Sequence, residues 1–352
     1  MADIINDKNL NPTVLQTVIE RAESPKVRRL ASAFPEQPVF DKNAVYNVVS
    51  DTAIKAGSII GFDAETPIKN KPQVEKRMAE LTKIANAYFY TEEELLSYNK
   101  PRSSEEQQQV IADVMKSIVN LDEGIEDTKE LLRANYVYKG KFDYEDPKSK
   151  VKIEFDLDLP EGAVRETSAF DDESSNPLQD LVDQLEAYRD NNGMTAPDYM
   201  VMNTRTLSKL KRNPNVIIQV YGQDGAQKLL RNSDLFELFN ELGLPTLEID
   251  DNYTVIEGIT EDRRIQHMPD DTVVMHAANL GQTLIGPAVE SDYQPQKYVV
   301  NLKTQDAPNA KTIVGQVTIP VLKNIKGISI LKVGEQVDDG EDDGEDTGEV
   351  TP

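Results

Sequence analysis

The chain contains no cysteine, which excludes disulfides, thiol nucleophiles and thiolate metal sites and suits a reducing compartment. Tryptophan is absent too, and with it the aromatic platform a sugar-cleaving enzyme would be expected to use. Only two histidines occur, His267 and His276, so few side chains titrate near neutrality. No apolar run approaches the ~18 residues that span a bilayer. The opening "MADIINDKNL" lacks a basic stretch followed by an apolar one, so nothing directs the chain to a membrane or to export. Positive charge is scarce: 38 Lys and Arg stand against 62 Asp and Glu. The resulting net charge of -24 repels phosphate backbones and disfavours sequence-independent nucleic-acid binding.

What is present is a folded chain of 352 residues, long enough for two or three domains. Residues 335–352 carry nine acids and no base and show no apolar periodicity, so a disordered acidic tail is expected there. The body stays acidic without it. Near the other end, "NPTVLQTVIERAES" puts Val14, Leu15, Val18 and Ile19 on one helical face behind Pro12, and "AFPEQPVF" then breaks the pattern. Residues 46–90 are rich in strand formers and breakers and predict an extended hairpin. Thr91 and Glu94 have capping-box spacing, as do Ser103 and Glu106.

After Ser103 the apolar residues Ile111, Val114, Met115, Ile118, Leu121, Ile125, Leu131 and Leu132 keep a spacing of three and four. They predict a helix over 103–135, about 50 Å long at 1.5 Å per residue. Its stripe is narrow and Gly124 interrupts it, so the helix is expected along a surface, with a place to bend. Period-two alternation follows: Tyr136, Tyr138, Phe142 and Tyr144, a turn at "EDPKS", then Val151, Ile153, Phe155, Leu157 and Leu159. That is an antiparallel ribbon over 136–159 with one buried face.

From about 176 to 293 helices and strands alternate. Asn176-Pro177 opens one helix, "DYMVMN" reads as a strand, "TRTLSKL" as a helix, and Ser233 is expected to cap "DLFELFNEL" before Gly243. "TLEID", "YTVI" and "DTVVMHA" supply strands of a mixed α/β domain, and "QKYVVNLKT", "AKTIVGQVTIP" and "GISILKV" return to β.

Catalytic signatures are missing: no GxGxxG, GxxxxGK, HExxH or GxSxG occurs. His276 lies in an apolar strand and is expected to be packed, whereas His267 follows a charged loop and is expected to be solvated. The acid clusters "FDLDLPEG", "AFDDESS" and "EIDDN" are too common in so acidic a chain to mark a site. No catalytic, cofactor-binding or metal-ligating residue is assigned, and no cofactor is implied.

Three segments carry a resemblance. "KIANAYFYTEEELLS" is similar to the strand that leads into a [ST]-x-x-E-L-L helix start, here Thr91, Glu94, Leu95 and Leu96. "YMVMNTRTLSKLKR" is similar to a strand ending in Met-Asn, and "MPDDTVVMHAANLGQTLIGP" to a Pro-Asp turn before a strand. Their order across roughly residues 45–333 resembles the major capsid proteins of tailed bacteriophages, lambda-type among them, with the Hong Kong 97-type fold shared by encapsulin shells.

The resemblance implies an α+β architecture in named parts. These are an N-terminal arm (1–45), an extended loop hairpin (46–90), a peripheral domain (91–175) with spine helix 103–135 and ribbon 136–159, an axial α/β domain (176–293), a return to the peripheral domain (294–334) and the tail (335–352). It implies a non-enzymatic major capsid protein that self-assembles into hexamers and pentamers of an icosahedral head. Double-stranded DNA is then enclosed without specific binding. Partners would be a separate scaffolding protein, a portal and a decoration protein, with assembly in the host cytoplasm and residence in the virion. Family members that crosslink use a loop lysine; Lys55, Lys69 and Lys71 lie in the loop, yet nothing marks an acceptor asparagine. The alternatives are an encapsulin-like compartment shell and a carboxylate-based α/β hydrolase, which would need a pocket with two buried acids in unlike environments.

Overall fold

The computed structural model describes residues 10–22, 24, 26–49, 74–98, 103–148, 150–223, 228–304 and 309–334. Asn11 accepts the Thr13 amide at 3.2 Å and opens α1 (Pro12–Arg21), which buries Leu15 and Ile19. The chain then passes through β1 (Glu36–Pro38) to the hairpin stem of β2 (Asn43–Val49) and β3 (Val74–Glu80), paired from Asn43 opposite Glu80 to Val49 opposite Val74. The excursion beyond the stem, with Lys55, Lys69 and Lys71, lies outside the described residues, as does the acidic tail. β4 (Thr82–Tyr90) leaves the hairpin and ends in the expected capping box. The Thr91 amide donates to Glu94 at 2.8 Å and the Glu94 amide to the Thr91 hydroxyl at 3.4 Å, starting α2 (Glu92–Tyr98).

Ser103 caps α3 (Ser104–Lys139) by accepting the Glu106 amide at 3.2 Å. The helix has 36 residues, about 54 Å. Two expectations change here. The helix runs past 135, so Tyr136 and Tyr138 belong to it and not to the ribbon. Tyr-Val-Tyr favours strands in isolation, but 131–138 are buried on every side, and burial outweighs so weak a propensity. The real stop is Gly140 at φ 64, whose N–H bonds to Asn135 O. Nor does this half lie on a surface: from Leu131 it runs through the interior. Gly124 marks a close approach, because a Cβ there would lie 2.7 Å from Asn86 Nδ2 on β4.

The ribbon is β5 (Lys141–Asp146) paired with β6 (Val151–Asp156). Phe142 and Phe155, directly opposite, stack at 5.0 Å and 2°, and Tyr136 of α3 sits 5.0 Å from Phe142. Burial follows one face of the ribbon, with Phe142 buried and Tyr144 and Ile153 half-buried against the core. Val151 and Phe155 are exposed, and Leu157 and Leu159 follow outside β6, half-buried against the core.

The next stretch holds β7 (Val164–Thr167), α4 (Pro177–Asn191), β8 (Tyr199–Met202), α5 (Thr204–Arg212), α6 (Pro214–Tyr221), α7 (Asn232–Glu241), β9 (Thr246–Ile249), β10 (Tyr253–Ile256), β11 (Arg263–Gln266), β12 (Thr272–His276) and β13 (Gly281–Gly286). Then come β14 (Tyr298–Thr304), β15 (Asn309–Leu322) and β16 (Ile328–Val333). α7 starts at Asn232, so Ser233 is inside the helix with its hydroxyl on Asp234, not the cap.

One sheet has the order β7-β16-β12-β8-β9 and is covered on both faces, which explains its continuous apolar strands. Met200, Met202, Val273, Met275, Leu331 and Val333 face α4–α7, whereas Val201, Val274 and Ile330 face the end of α3. The other sheet has the order β1-β13-β15-β14, with β4 along the free side of β15. Thus the chain leaves the first sheet after β12 to form β13 in the second, and β16 returns to the first between β7 and β12. On either side of the boundary expected at 293/294, β13 lies in the second sheet and β16 in the first.

Gly140→Ala tests the helix stop. A Cβ at Gly140 would sit 2.8 Å from Leu159 Cδ1 and 3.2 Å from Ile330 Cδ1, at φ 64. The variant is expected to lose ~1–3 kcal/mol, read as a lower urea midpoint; an unchanged midpoint would contradict the left-handed cap.

Candidate functional site

The two histidines come first, since they are the only neutral-range bases. His267 is not solvated but 3% exposed. Its Nε2 lies 2.8 Å from the Thr254 hydroxyl, which donates to Asp127 O at 3.2 Å, so the β10–β11 hairpin packs the ring against α3. The charged "EDRR" before it misled because those residues form the outer end of that hairpin. His276 is packed as expected, with Nδ1 2.8 Å from Ala277 O and its ring 5.4 Å from Tyr199. Burial pushes both pKa values down, so both rings are neutral.

The acid clusters do not converge. Asp156 and Asp158 are exposed beside a groove of about 620 Å³ at the ribbon root. Asp172 accepts the Ser174 amide at 2.8 Å. Asp250 is buried, but it accepts Tyr138 Oη at 2.9 Å and the Asn252 amide at 3.0 Å and is spent on structure. Among the described residues no group of His, Asp and Glu could hold a metal ion, and no helix is long and apolar enough to cross a membrane.

The concentrated chemistry lies on α3, which the sequence reading took as a narrow-striped helix along a surface without weighing its charges. Lys129, with no exposed side chain, contacts Glu126 at 2.6 Å, Glu36 of β1 at 2.7 Å and Gln316 of β15 at 3.1 Å. Lys297 contacts Asp122 at 2.8 Å and Glu126 at 2.9 Å. Glu130 accepts the Leu30 amide at 2.8 Å and pairs with Arg133 at 3.0 Å. Arg133 reaches Thr283 of β13 at 2.9 Å, and Thr283 donates to Phe34 O at 3.0 Å. On the helix's other side Arg28 contacts Glu123 at 2.6 Å and Asp127 at 2.9 Å. Residues 28–36 and both sheet strands are thereby tied to one helix. The available signal was opposite charges repeating at three and four between Asp122 and Arg133, a density exceeding what a solvated face needs.

The carboxyls divide by environment. Burial raises Glu126, but Lys129 and Lys297 more than reverse it and bring it to about 2. Burial wins at Asp122 and Glu130, whose pKa values rise despite Lys297 and Arg133.

Open apolar surface is the other feature. Val45 and Met78, opposite each other on the hairpin stem, are 67% and 70% exposed, while Ala44 and Val48 turn inward. Phe89 of β4 and Leu302 of β14 flank Lys311 on the outer face of the second sheet and are also exposed. Among the described residues β4 is an edge strand. Such faces mark surfaces that a partner covers.

Glu126 gives a pH test. Its folded pKa of about 2 lies below its ordinary 4.5, so its contribution is full above that value and is lost as pH falls toward 2. The loss is ~3 kcal/mol, partly offset by Asp122 and Glu130, which favour the folded state on protonation. Urea midpoints at successively lower pH should therefore fall more steeply for the wild type than for Glu126→Gln; parallel curves would contradict the assignment.

Comparison with known proteins agrees with this architecture. No curated protein matches the sequence. A structure described as a prophage capsid protein from E. coli CFT073 is similar at TM-score 0.54 and 15% identity, covering 92% of this chain and 99% of that one. A phage-related protein from Bordetella bronchiseptica RB50 is similar at TM-score 0.53 and 12% identity, covering 91% and 96%. At these identities the likeness shows the fold, α+β of the Hong Kong 97 type. The family model described as phage major capsid protein E matches residues 11–333, nearly the whole chain, and the chain therefore belongs to that family of phage head proteins.

Proposed function

We propose that the chain is the repeating subunit of a phage head, forming hexamers and pentamers that close into an icosahedral shell around double-stranded DNA. The observation that carries the reading is the exposed Val45–Met78 face on a hairpin rooted in the core, in a chain matched to the capsid family over residues 11–333. A subunit in a closed shell buries surface against several neighbours, and obligate contacts of this kind cover ~2,000 Å² or more. The stem would lay that face on an adjacent subunit, the end of α3 would stiffen the wall, and the ribbon would meet a neighbour through Val151 and Phe155. A net charge of -24 keeps the packaged duplex off the wall without specific contacts. The role is structural and needs no catalytic group. Assembly in the host cytoplasm would use a scaffolding protein and a portal, with a decoration protein added outside.

The test is co-expression with the scaffolding protein followed by electron microscopy, which should show closed shells; a chain that stays monomeric in all such conditions contradicts the proposal. Replacing 50–73 by a two-residue turn, or making Val45→Asp with Met78→Asp, should leave the unfolding midpoint near wild type while abolishing closed shells. Intact shells from both variants would remove the hairpin from the assembly mechanism.

A further inference from the structure

We infer that copies of this chain dock head to tail through two oppositely charged flanks of the β7-β16-β12-β8-β9 sheet, the acidic face of α4 meeting a cationic patch at the α5–α7 corner of the next copy. The inference rests on the shell-subunit reading above and adds the contact that orders neighbours within a ring.

The sheet order puts β7 and β9 at opposite edges. α4 sits toward the β7 edge, where Asp183 meets Arg165 of β7 at 3.9 Å. α5, α6 and α7 connect parallel strands β8 and β9 at the other edge, and all four helices share one core, so both flanks lie on the same face of the sheet. Along α4, Asp180, Asp183, Glu186 and Asp190 recur at three, three and four on the side away from Leu181, Leu185 and Tyr188. Only Asp183 of the four has a cation within 4.0 Å among the described residues.

The opposite flank is unusual in so acidic a chain. Lys211 is held by Asn232 at 2.7 Å, Lys228 stands 5.5 Å over the Tyr221 ring, and Arg212 and Arg231 are exposed. None of these four cations lies within 4.0 Å of a carboxylate among the described residues, whereas Lys209 on the same helix is neutralised by Asp271 at 2.8 Å. Between Lys228 and Arg231, Leu229 is 91% exposed and offers an apolar contact inside the charged rim. Asp234 of α7 bonds the Tyr221 hydroxyl and offsets Arg231 from beyond 4.0 Å, and the remaining cations, Lys211, Arg212 and Lys228, fit a carboxylate surface supplied from outside. Patches at opposite edges of one sheet meet flank to flank when copies are set side by side, and that head-to-tail contact is the arrangement that closes rings.

The test uses three full-length variants: Lys211→Glu with Arg212→Glu, Glu186→Lys with Asp190→Lys, and all four together. Each is checked for an unchanged unfolding midpoint, then assembled as the wild type is and read by gradient sedimentation and electron microscopy. Each two-site reversal should cut shell yield at least ~tenfold, and the four-site swap should restore it. Wild-type yield from either reversal, or no rescue by the four-site swap, overturns the inference while leaving the shell reading intact. A wild type that never assembles removes both. If Lys211→Glu with Arg212→Glu is harmful in the full chain but harmless in one ending at Gly334, the cations serve the acidic tail and the inference also falls.

Discussion

Lys129 is an ammonium with no exposed surface, and satisfying it requires three separate parts of the chain. Its own helix supplies Glu126, β1 supplies Glu36 and β15 supplies Gln316. A buried charge costs several kcal/mol in desolvation unless each proton finds an acceptor, so the layers can meet in only one register. Lys297 and Arg133 repeat the constraint one turn on either side. Such a network adds little net stability over a well-packed apolar seam, but it makes misplacement expensive.

Elements whose signals are local were legible in the sequence. The caps at Thr91 and Ser103 need only a side chain and an amide three residues away, and each behaves as its spacing suggests. What failed depended on distant partners. Tyr136 and Tyr138 look like strand residues until the core that surrounds them is present, and His267 looks solvated until its hairpin folds onto α3. Ser233 has the chemistry of a cap, yet the helix begins one residue earlier at Asn232.

The assembly surfaces were half legible. Alternation marked Val151 and Phe155 as an inward face, but the core covers Phe142, Tyr144 and Ile153 and stops short of Val151 and of the outer side of Phe155, so the same pattern that predicts burial leaves these two exposed in the isolated subunit. That mismatch is informative, since apolar residues at strand spacing without a covering layer call for another chain to cover them. The charge pattern on α3 was visible but ambiguous. Repeating opposite charges fit a solvated helix and a buried network equally well, and only the strands packed over Lys129 separate the two.

The exchange of strands between the sheets has a mechanical consequence. β13 and β15 lie side by side in the second sheet, while the neighbours that precede and follow them, β12 and β16, lie side by side in the first. The two layers are therefore joined by two covalent crossings as well as by side-chain packing. A sideways pull on one layer is carried into the other along continuous backbone, much as a double seam resists peeling. For a plate that must stay whole while its edges are loaded from several directions, such stitching keeps in-plane strain from opening the interior where Lys129 lies dry.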